Sequence, residues 1–314
     1  MYNYRRPKTS ALLCLTKSFL ISLGVLLSLY YVKTLLHSQS FPSLPFTQNA
    51  PTHAPPLAIP KKIWYVLGAQ QPMDDAARQR IYTCVERNPT HDVQIVNADE
   101  SSGEEIVRGA FADDRPDILG AYLALSAALP AAVRADLLRY VVLYDQGGLA
   151  LDPAASCGDV PIERWVPERH RGRAGLVLGW ELEARQLASW AVLARPRSPH
   201  VLAVIENTLE MLRYRAAQDG GGAIGDDVAG PGMLTVSVFD SLGRALRGRV
   251  GRVSVERIAQ SGPVGDVLIM PSYSFDLSTE QYADFRGVNN TGPVLLTEHY
   301  AVTWQNAGGE DELK

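Results

Sequence analysis

The sequence predicts an α/β domain built on a mostly parallel sheet covered on both faces. Short apolar runs alternate with stretches of helical period from Pro60 onward. The central stretch Arg134 to Ala154, RADLLRYVVLYDQGGLALDPA, reads as a helix, a glycine turn and a short strand. That strand delivers Asp152 to its end, the edge at which α/β sheets gather ligands.

The first sixty residues form a separate module. Arg5, Arg6 and Lys8 lie in a tail, residues 1–16, before an apolar segment, residues 17–36. Ser18 to Val32 carries no charge and is bracketed by Lys17 and Lys33. That run is short for a span of about 20 residues, but snorkelling lysines and the flanking leucines extend it. A cleaved signal peptide is the competing reading. The segment ends in Tyr30-Tyr31-Val32-Lys33 without a small-x-small site, which favours an uncleaved signal-anchor. The basic tail then stays cytoplasmic. Residues 37–57 are rich in Pro and Ser and read as an extended stalk. The expected whole is a single-pass type II membrane protein. Its head, residues 58–306, faces a lumen, and an acidic tail, residues 307–314, follows.

The head is long enough for one large domain: the chain of 314 residues is 46% hydrophobic and 20% charged. Its net charge of −4 gives none of the basic excess of a nucleic-acid binder, so no nucleic-acid partner is expected. Cys84 and Cys157 both fall in the head; a pair in an oxidising compartment and two free buried thiols fit equally. Asn289-Asn290-Thr291 makes Asn289 a candidate glycosylation acceptor, whereas Asn88-Pro89-Thr90 is blocked by its proline.

The elements follow in order. Ile59 to Gly68 reads as a buried first strand, opening from a proline and closing at glycine. Asp74 to Asn88 carries Ala77, Ile81, Cys84 and Val85 at helical spacing, and Pro89 ends it. Asp92 to Val96 is a second strand; Ser101 to Phe111 and Ile118 to Ala128 are helical. Beyond Asp152, Ala174 to Trp180 is a strand ending at Glu181 and Glu183, and Leu187 to Ala194 leads into Pro196 and Pro199. A helix runs from His200 to about Arg215. Asp226-Asp227 precede a Gly230-Pro231-Gly232 turn and another helix; Asp266 to Met270 and Leu295 to Trp304 are strand-like. In the central helix Asp136 and Arg139 are three apart and share a face.

These pieces, in this order, resemble glycosyltransferase family 32, the sugar-binding DXD-motif group that includes fungal initiation-specific α-1,6-mannosyltransferases. The resemblance rests on Ile59-Pro60-Lys61-Lys62-Ile63-Trp64, on Arg134-Ala135-Asp136-Leu137-Leu138-Arg139-Tyr140, on Gly147-Gly148 and on Asp152. Trp190 with the following Arg-Pro-Arg-Ser-Pro, Gly230-Pro231-Gly232, and His299 to Trp304 complete it. It implies a GT-A fold, a Rossmann-like domain that binds a nucleotide-sugar. It further implies a hexosyltransferase, retaining in mechanism, that moves mannose from GDP-mannose, or a hexose from a UDP-hexose, in the Golgi lumen. The acceptor would be a glycan, a glycolipid or a small molecule.

The chemistry of such a donor explains the motif: a divalent cation neutralises the diphosphate leaving group, and oxygen ligands hold it. By resemblance Asp152 would hold Mn²⁺ together with Glu298 or His299, both donor types that Mn²⁺ accepts. Asp136 and Arg139 would contact the donor hexose, Arg134 would join them or serve packing, and Trp64 and Gly148 would lie near the nucleotide. Asp227, Gly230 and Trp304 would line the pocket on the acceptor side. No residue stands out as a general base. The chain departs from the family at Asp152-Pro153-Ala154, where alanine replaces the second aspartate. That departure sets a second expectation beside the enzyme: a non-catalytic member acting as a subunit of a glycosyltransferase complex.

Overall fold

The computed structural model describes residues 58–68, 73–181, 184–218, 228–248, 250, 263–277 and 292–299. All of them lie in one compact unit, Pro55–Lys314. The expected tail, anchor and stalk at the N-terminus and the tail at the C-terminus fall outside the described residues. Among the described residues no helix is long and apolar enough to cross a membrane.

Three strands and four helices open the domain: β1 Lys62–Gly68, α1 Asp75–Arg87, β2 Asp92–Ala98, α2 Glu100–Phe111, α3 Pro116–Leu123, α4 Ala131–Gln146 and β3 Gly148–Leu151. Then come β4 Ala155–Cys157, α5 Glu168–Arg171, β5 Leu176–Glu181, β6 Gln186–Ala194, α6 Pro199–Gln218 and α7 Pro231–Leu246. Strands β7 Val267–Met270, β8 Phe275–Leu277 and β9 Leu296–Glu298 close it.

The main sheet has the order β2-β1-β3-β6-β5-β7. β1 pairs parallel with β2 and with β3, and β5 pairs parallel with β7. β6 runs against both neighbours. The sheet is therefore parallel-rich with one reversed strand. Leu187 to Ala194 had no assigned direction in the sequence. The loop from Glu181 to Gln186 is too short for a helical crossover, so β6 returns antiparallel. A second, three-stranded sheet in the order β4-β9-β8 lies beside it.

Burial follows position in the sheet. β1 is central and buried across its width, so it reads as continuous Ile-Trp-Tyr-Val-Leu. β2 is an edge and keeps polar Asp92 and Gln94 exposed. Alternation sends Trp64 and Val66 to one face, against α2, α4, α6 and α7, and Ile63 and Tyr65 to the other, above α1 and the small sheet. Helix α4 is buried on almost every side, from Val133 to Tyr144, as a helix layered between sheet and helices must be.

Two local devices set the site's frame. The turn between α4 and β3 needs glycine twice. Gly147 has φ +67°, and a Cβ there would meet Pro196 Cδ at 2.6 Å. Gly148 has φ +106°, and a Cβ would meet Lys62 O at 2.7 Å. The second device is a disulfide between Cys84 on α1 and Cys157 on β4, which resolves the alternatives left by the sequence. Asn88 caps α1, donating from Nδ2 to Cys84 O at 2.9 Å, and accepts from Ile162 N at 2.8 Å. The loop after β4 is thereby fastened to the same helix.

Candidate active site

The parallel strands end at one edge of the main sheet, and the candidate site gathers there. α4 runs back antiparallel to β3, so its first turns sit over the edge where β3 ends. Asp136 and Arg139 lie on those turns and Asp152 follows β3. Arg139 Nη2 stands 3.3 Å from Asp136 Oδ1 and 3.5 Å from Asp152 Oδ2. Its Nη1 donates to Ser189 O on β6 at 2.9 Å. The guanidinium is only 6% exposed, whereas Asp136 and Asp152 keep 27% and 24%. A buried cation thus holds two carboxylates that reach solvent. Arg139 Nε has no acceptor among the described residues.

Asp152 is fixed from three sides. Its backbone N–H donates to Trp190 O at 2.8 Å, and its Oδ1 accepts from Ala154 N at 2.8 Å. Its Oδ2 faces Arg139. The small sheet brings the next carboxylate, because β4 and β9 register Ala155 opposite Glu298. Burial pushes the Glu298 carboxyl up to about 8, with the charges of Asp152 and Glu181 adding to the shift and Arg139 opposing it. Glu181, at the end of β5, is raised by burial as well, against hydrogen bonding from Gln186 and Trp190. Burial works against the charge of Arg139, but Asp136, Asp152, Tyr140 and Glu298 outweigh it, so the guanidinium is held charged.

The site therefore unites Asp136, Arg139, Asp152 and Glu298 and adds Glu181. Other expected members lie elsewhere. Trp64 is buried in the core and its indole N–H donates to Gly147 O at 2.8 Å, so its ring is not open to a nucleotide base. Arg134 is buried too, and its Nη2 holds Ser126 O at 2.9 Å and Leu129 O at 3.1 Å ahead of α4. It serves packing. Gly148 is required by the close approach of β1. His299 follows Glu298 directly, and successive residues of an extended chain face opposite ways. Its Nε2 meets Ser156 Oγ at 2.8 Å, and burial and Arg80 lower its pKa, so it is not brought to Asp152. Gly230 is buried at the N-cap of α7, in a turn whose Ala229 O accepts from Tyr140 Oη at 3.3 Å. Asp226, Asp227, Glu183, Trp304 and Asn289 fall outside the described residues.

Glu181, with Glu183, is a minor site candidate in the sequence, at the end of a strand, and β6 has no expected part in the site. Two carbonyls of β6, Ser189 O and Trp190 O, hold Arg139 and Asp152. The available signal was an apolar run ending in Trp190, which does not reveal a reversed strand.

The resemblance implies a divalent metal at this site. Among the described residues no group of three His, Cys, Asp or Glu is arranged to hold a metal ion. Asp152 is engaged by Arg139 and by the Ala154 N–H, and Ala154 itself is buried and offers no oxygen side chain. The described residues do not make a complete ligand set.

No protein-family model matches the chain, and no curated protein matches it. Among solved structures it is similar to the PaToxG glycosyltransferase, with TM-score 0.41 and 13% identity over 65% of this chain and 76% of that one. It is similar also to the ligand-free glycosyltransferase domain from the YGT toxin, with TM-score 0.37 and 8% identity over 67% of this chain and 84% of that one. Likeness of this size assigns no activity by itself.

Proposed function

We propose that the chain is a glycosyltransferase that takes its sugar from a nucleotide-sugar donor at the Asp136–Arg139–Asp152 site. The observation that carries the proposal is one buried guanidinium holding two part-exposed carboxylates at the carboxyl edge of a parallel-rich sheet. The carboxylates accept hydrogen bonds from sugar hydroxyls. Arg139, beneath both carboxylates, supplies the positive charge of the site. Glu298, neutral near pH 7, adds a carboxyl that donates a hydrogen bond to a phosphate oxygen where a carboxylate would repel it. The finer reading extends the resemblance. The sugar is mannose from GDP-mannose, or another hexose from a UDP-hexose, moved with retention. The acceptor is a luminal glycan or glycolipid, reached from a type II Golgi anchor. In a retaining transfer the departing phosphate oxygen takes the acceptor proton, in line with a site that presents no evident general base.

The test is a titration of the full chain with GDP-mannose and UDP-hexoses, with and without Mn²⁺, while donor hydrolysis is followed. Binding and hydrolysis that vanish in Asp152→Ala are expected. Folded protein that binds none of these donors sinks the reading.

Ala154 favours a second reading, a non-catalytic subunit of a glycosyltransferase complex. Its methyl is buried where the family has a metal-binding carboxylate. Ala154→Asp separates the two. A gain of donor turnover with Mn²⁺ marks a weakened enzyme, whereas donor binding without turnover in both forms marks the subunit. Without a cation the added buried carboxylate costs about 1–3 kcal/mol of stability.

A further inference from the structure

Gly179 stands inside β5 with ordinary strand backbone, so no left-handed conformation calls for glycine there. Space does. A Cβ at this position would strike the Phe275 ring, with Phe275 Cγ at 2.8 Å and its Cβ at 3.0 Å. Glycine weakens a strand interior, and inside a strand it often marks the close approach of another group. The pairing of β5 with β6 also slips between Leu178 and Trp180, on either side of Gly179. Glycine and slip together make a socket in the main sheet, and Phe275, 5% exposed, fills it.

The seated ring reaches the supports of three site acids. Leu176, Leu178 and Trp180 face one core and Val177 the other, so Glu181 leaves β5 on the same face as Gly179. Trp190 on β6 packs against the ring at 5.5 Å, and its carbonyl accepts from the Asp152 N–H at 2.8 Å. Trp165 closes another side, edge-on at 5.9 Å. β8 pairs Phe275 with Leu296 on β9, and Glu298 lies two residues beyond Leu296 on the same face.

The small sheet needs such an anchor. Its strands are three residues each, and ladders that short depend on packing for their place. In the order β4-β9-β8 the strand carrying Glu298 is the middle one. One flank, β4, is bonded to α1 through Cys84–Cys157. The other flank, β8, is held to the main sheet by Phe275 in its socket. β9 therefore stands where these two attachments put it.

We propose that Phe275, seated on Gly179, is a positioning residue that sets how far Glu298 stands from Asp152. It thereby sets how closely Glu298 meets a donor held by Asp136, Arg139 and Asp152. Phe275 itself touches no donor. The spacing role stands on the packing alone, whereas its effect on turnover rests on the glycosyl-transfer reading. Gly179→Ala drives the ring back by about 1 Å before ordinary van der Waals contact is regained. A misplacement of that size slows a reaction by up to about 100-fold.

The test compares the full chain with Gly179→Ala, Phe275→Leu and the double variant, by donor hydrolysis, urea unfolding and crystal structures without donor. In Gly179→Ala the separation of the Glu298 and Asp152 carboxyls should grow by about 1 Å while the Arg139–Asp152 pair keeps its length. Its kcat should fall about tenfold or more with donor KM nearly unchanged, because Asp136, Arg139 and Asp152 still bind. Leucine is shorter and gives the new methyl room, so the double variant should regain most of that kcat. A ring that swings aside and leaves Glu298 in place overturns the proposal. So does a kcat that stays low in a double variant whose stability has recovered. If Gly179→Ala does not fold, Phe275→Leu replaces it in both measurements, and an unmoved Glu298 with wild-type kcat overturns the proposal there. A wild-type chain that turns over no donor removes the transferase reading alone, and the crystal structures then uphold or overturn the spacing role.

Discussion

Two clusters of buried charge sit at opposite edges of the main sheet, and they are built on opposite principles. At the edge where β7 begins, Asp266 is flanked by two partners: His200 Nε2 at 2.8 Å and Arg195 Nη2 at 2.7 Å. His200 Nδ1 in turn meets Ser241 Oγ at 2.9 Å. Gly175 makes room, since a Cβ there would meet Arg195 Nε and Asp266 Oδ2, each at 2.7 Å. Burial alone would raise Asp266, but hydrogen bonding and charge from His200, together with Arg195, bring its pKa below the usual range. At the other edge one guanidinium serves Asp136, Asp152 and Glu298, and burial, with the charges of Asp152 and Glu181 added, drives Glu298 up to about 8. A balanced cluster is complete in itself and serves the fold. An acid-rich cluster that reaches solvent leaves its excess negative charge to be met by water or by a ligand.

The comparison can be broken by removing the pivot of each cluster. Arg139→Met leaves Asp136 and Asp152 facing each other without their cation. A loss of about 3–5 kcal/mol in urea unfolding is expected, because the charges left behind are part-buried. A loss near zero would mean that solvent already balances the site. Asp266→Asn removes the carboxylate between His200 and Arg195. It should cost about 1.5–3 kcal/mol, the worth of charged hydrogen bonds, and leave donor binding at the far edge unchanged. Altered donor affinity in that variant would join two clusters that the comparison keeps apart.

The pH dependence is the most diagnostic, because the two clusters respond to pH with opposite sign. A carboxyl whose folded pKa is raised contributes stability that is full below its ordinary value of about 4.3 and is lost as pH rises. For Glu298 the loss is complete once pH passes about 8. Glu181 acts in the same direction. Asp266, lowered, contributes stability above the ordinary aspartate range and loses it as pH falls through its folded value. Between pH 5 and 8 unfolding free energy should therefore decline, by at most about 1.4 kcal/mol per pH unit for each raised group. Glu298→Gln should flatten the decline, and a profile unchanged by that substitution would remove Glu298 from the cluster.

How much of this was legible in the sequence depended on distance along the chain. Helix α4, the Gly147-Gly148 turn and β3 are contiguous, and periodicity and turn chemistry expose them; Asp136, Arg139 and Asp152 came with them. Glu298 was reached by resemblance alone. Its strand is paired with Ala155–Cys157 and Phe275–Leu277, segments that share no local pattern, so the small sheet could not be read in advance. Trp64 was placed in the site by motif and Arg134 was left between site and packing, yet a buried indole needs an acceptor and a pre-helix loop needs its carbonyls met, and those needs claimed both side chains. The reversal of β6 follows from a loop length that no motif records.

Helix α1 holds the segment from Pro153 to Cys157 at three points: Arg80 Nε on Pro153 O at 3.0 Å, Thr83 Oγ1 accepting from Cys157 N at 2.9 Å, and the Cys84–Cys157 bond. That segment is both the continuation of Asp152 and the partner of the strand carrying Glu298. Oxidation of the two thiols therefore adds a covalent lock to a wall that Arg80 and Thr83 otherwise hold by hydrogen bonds alone. The firmness with which Glu298 is held beside Asp152 thus depends in part on the redox state of the medium.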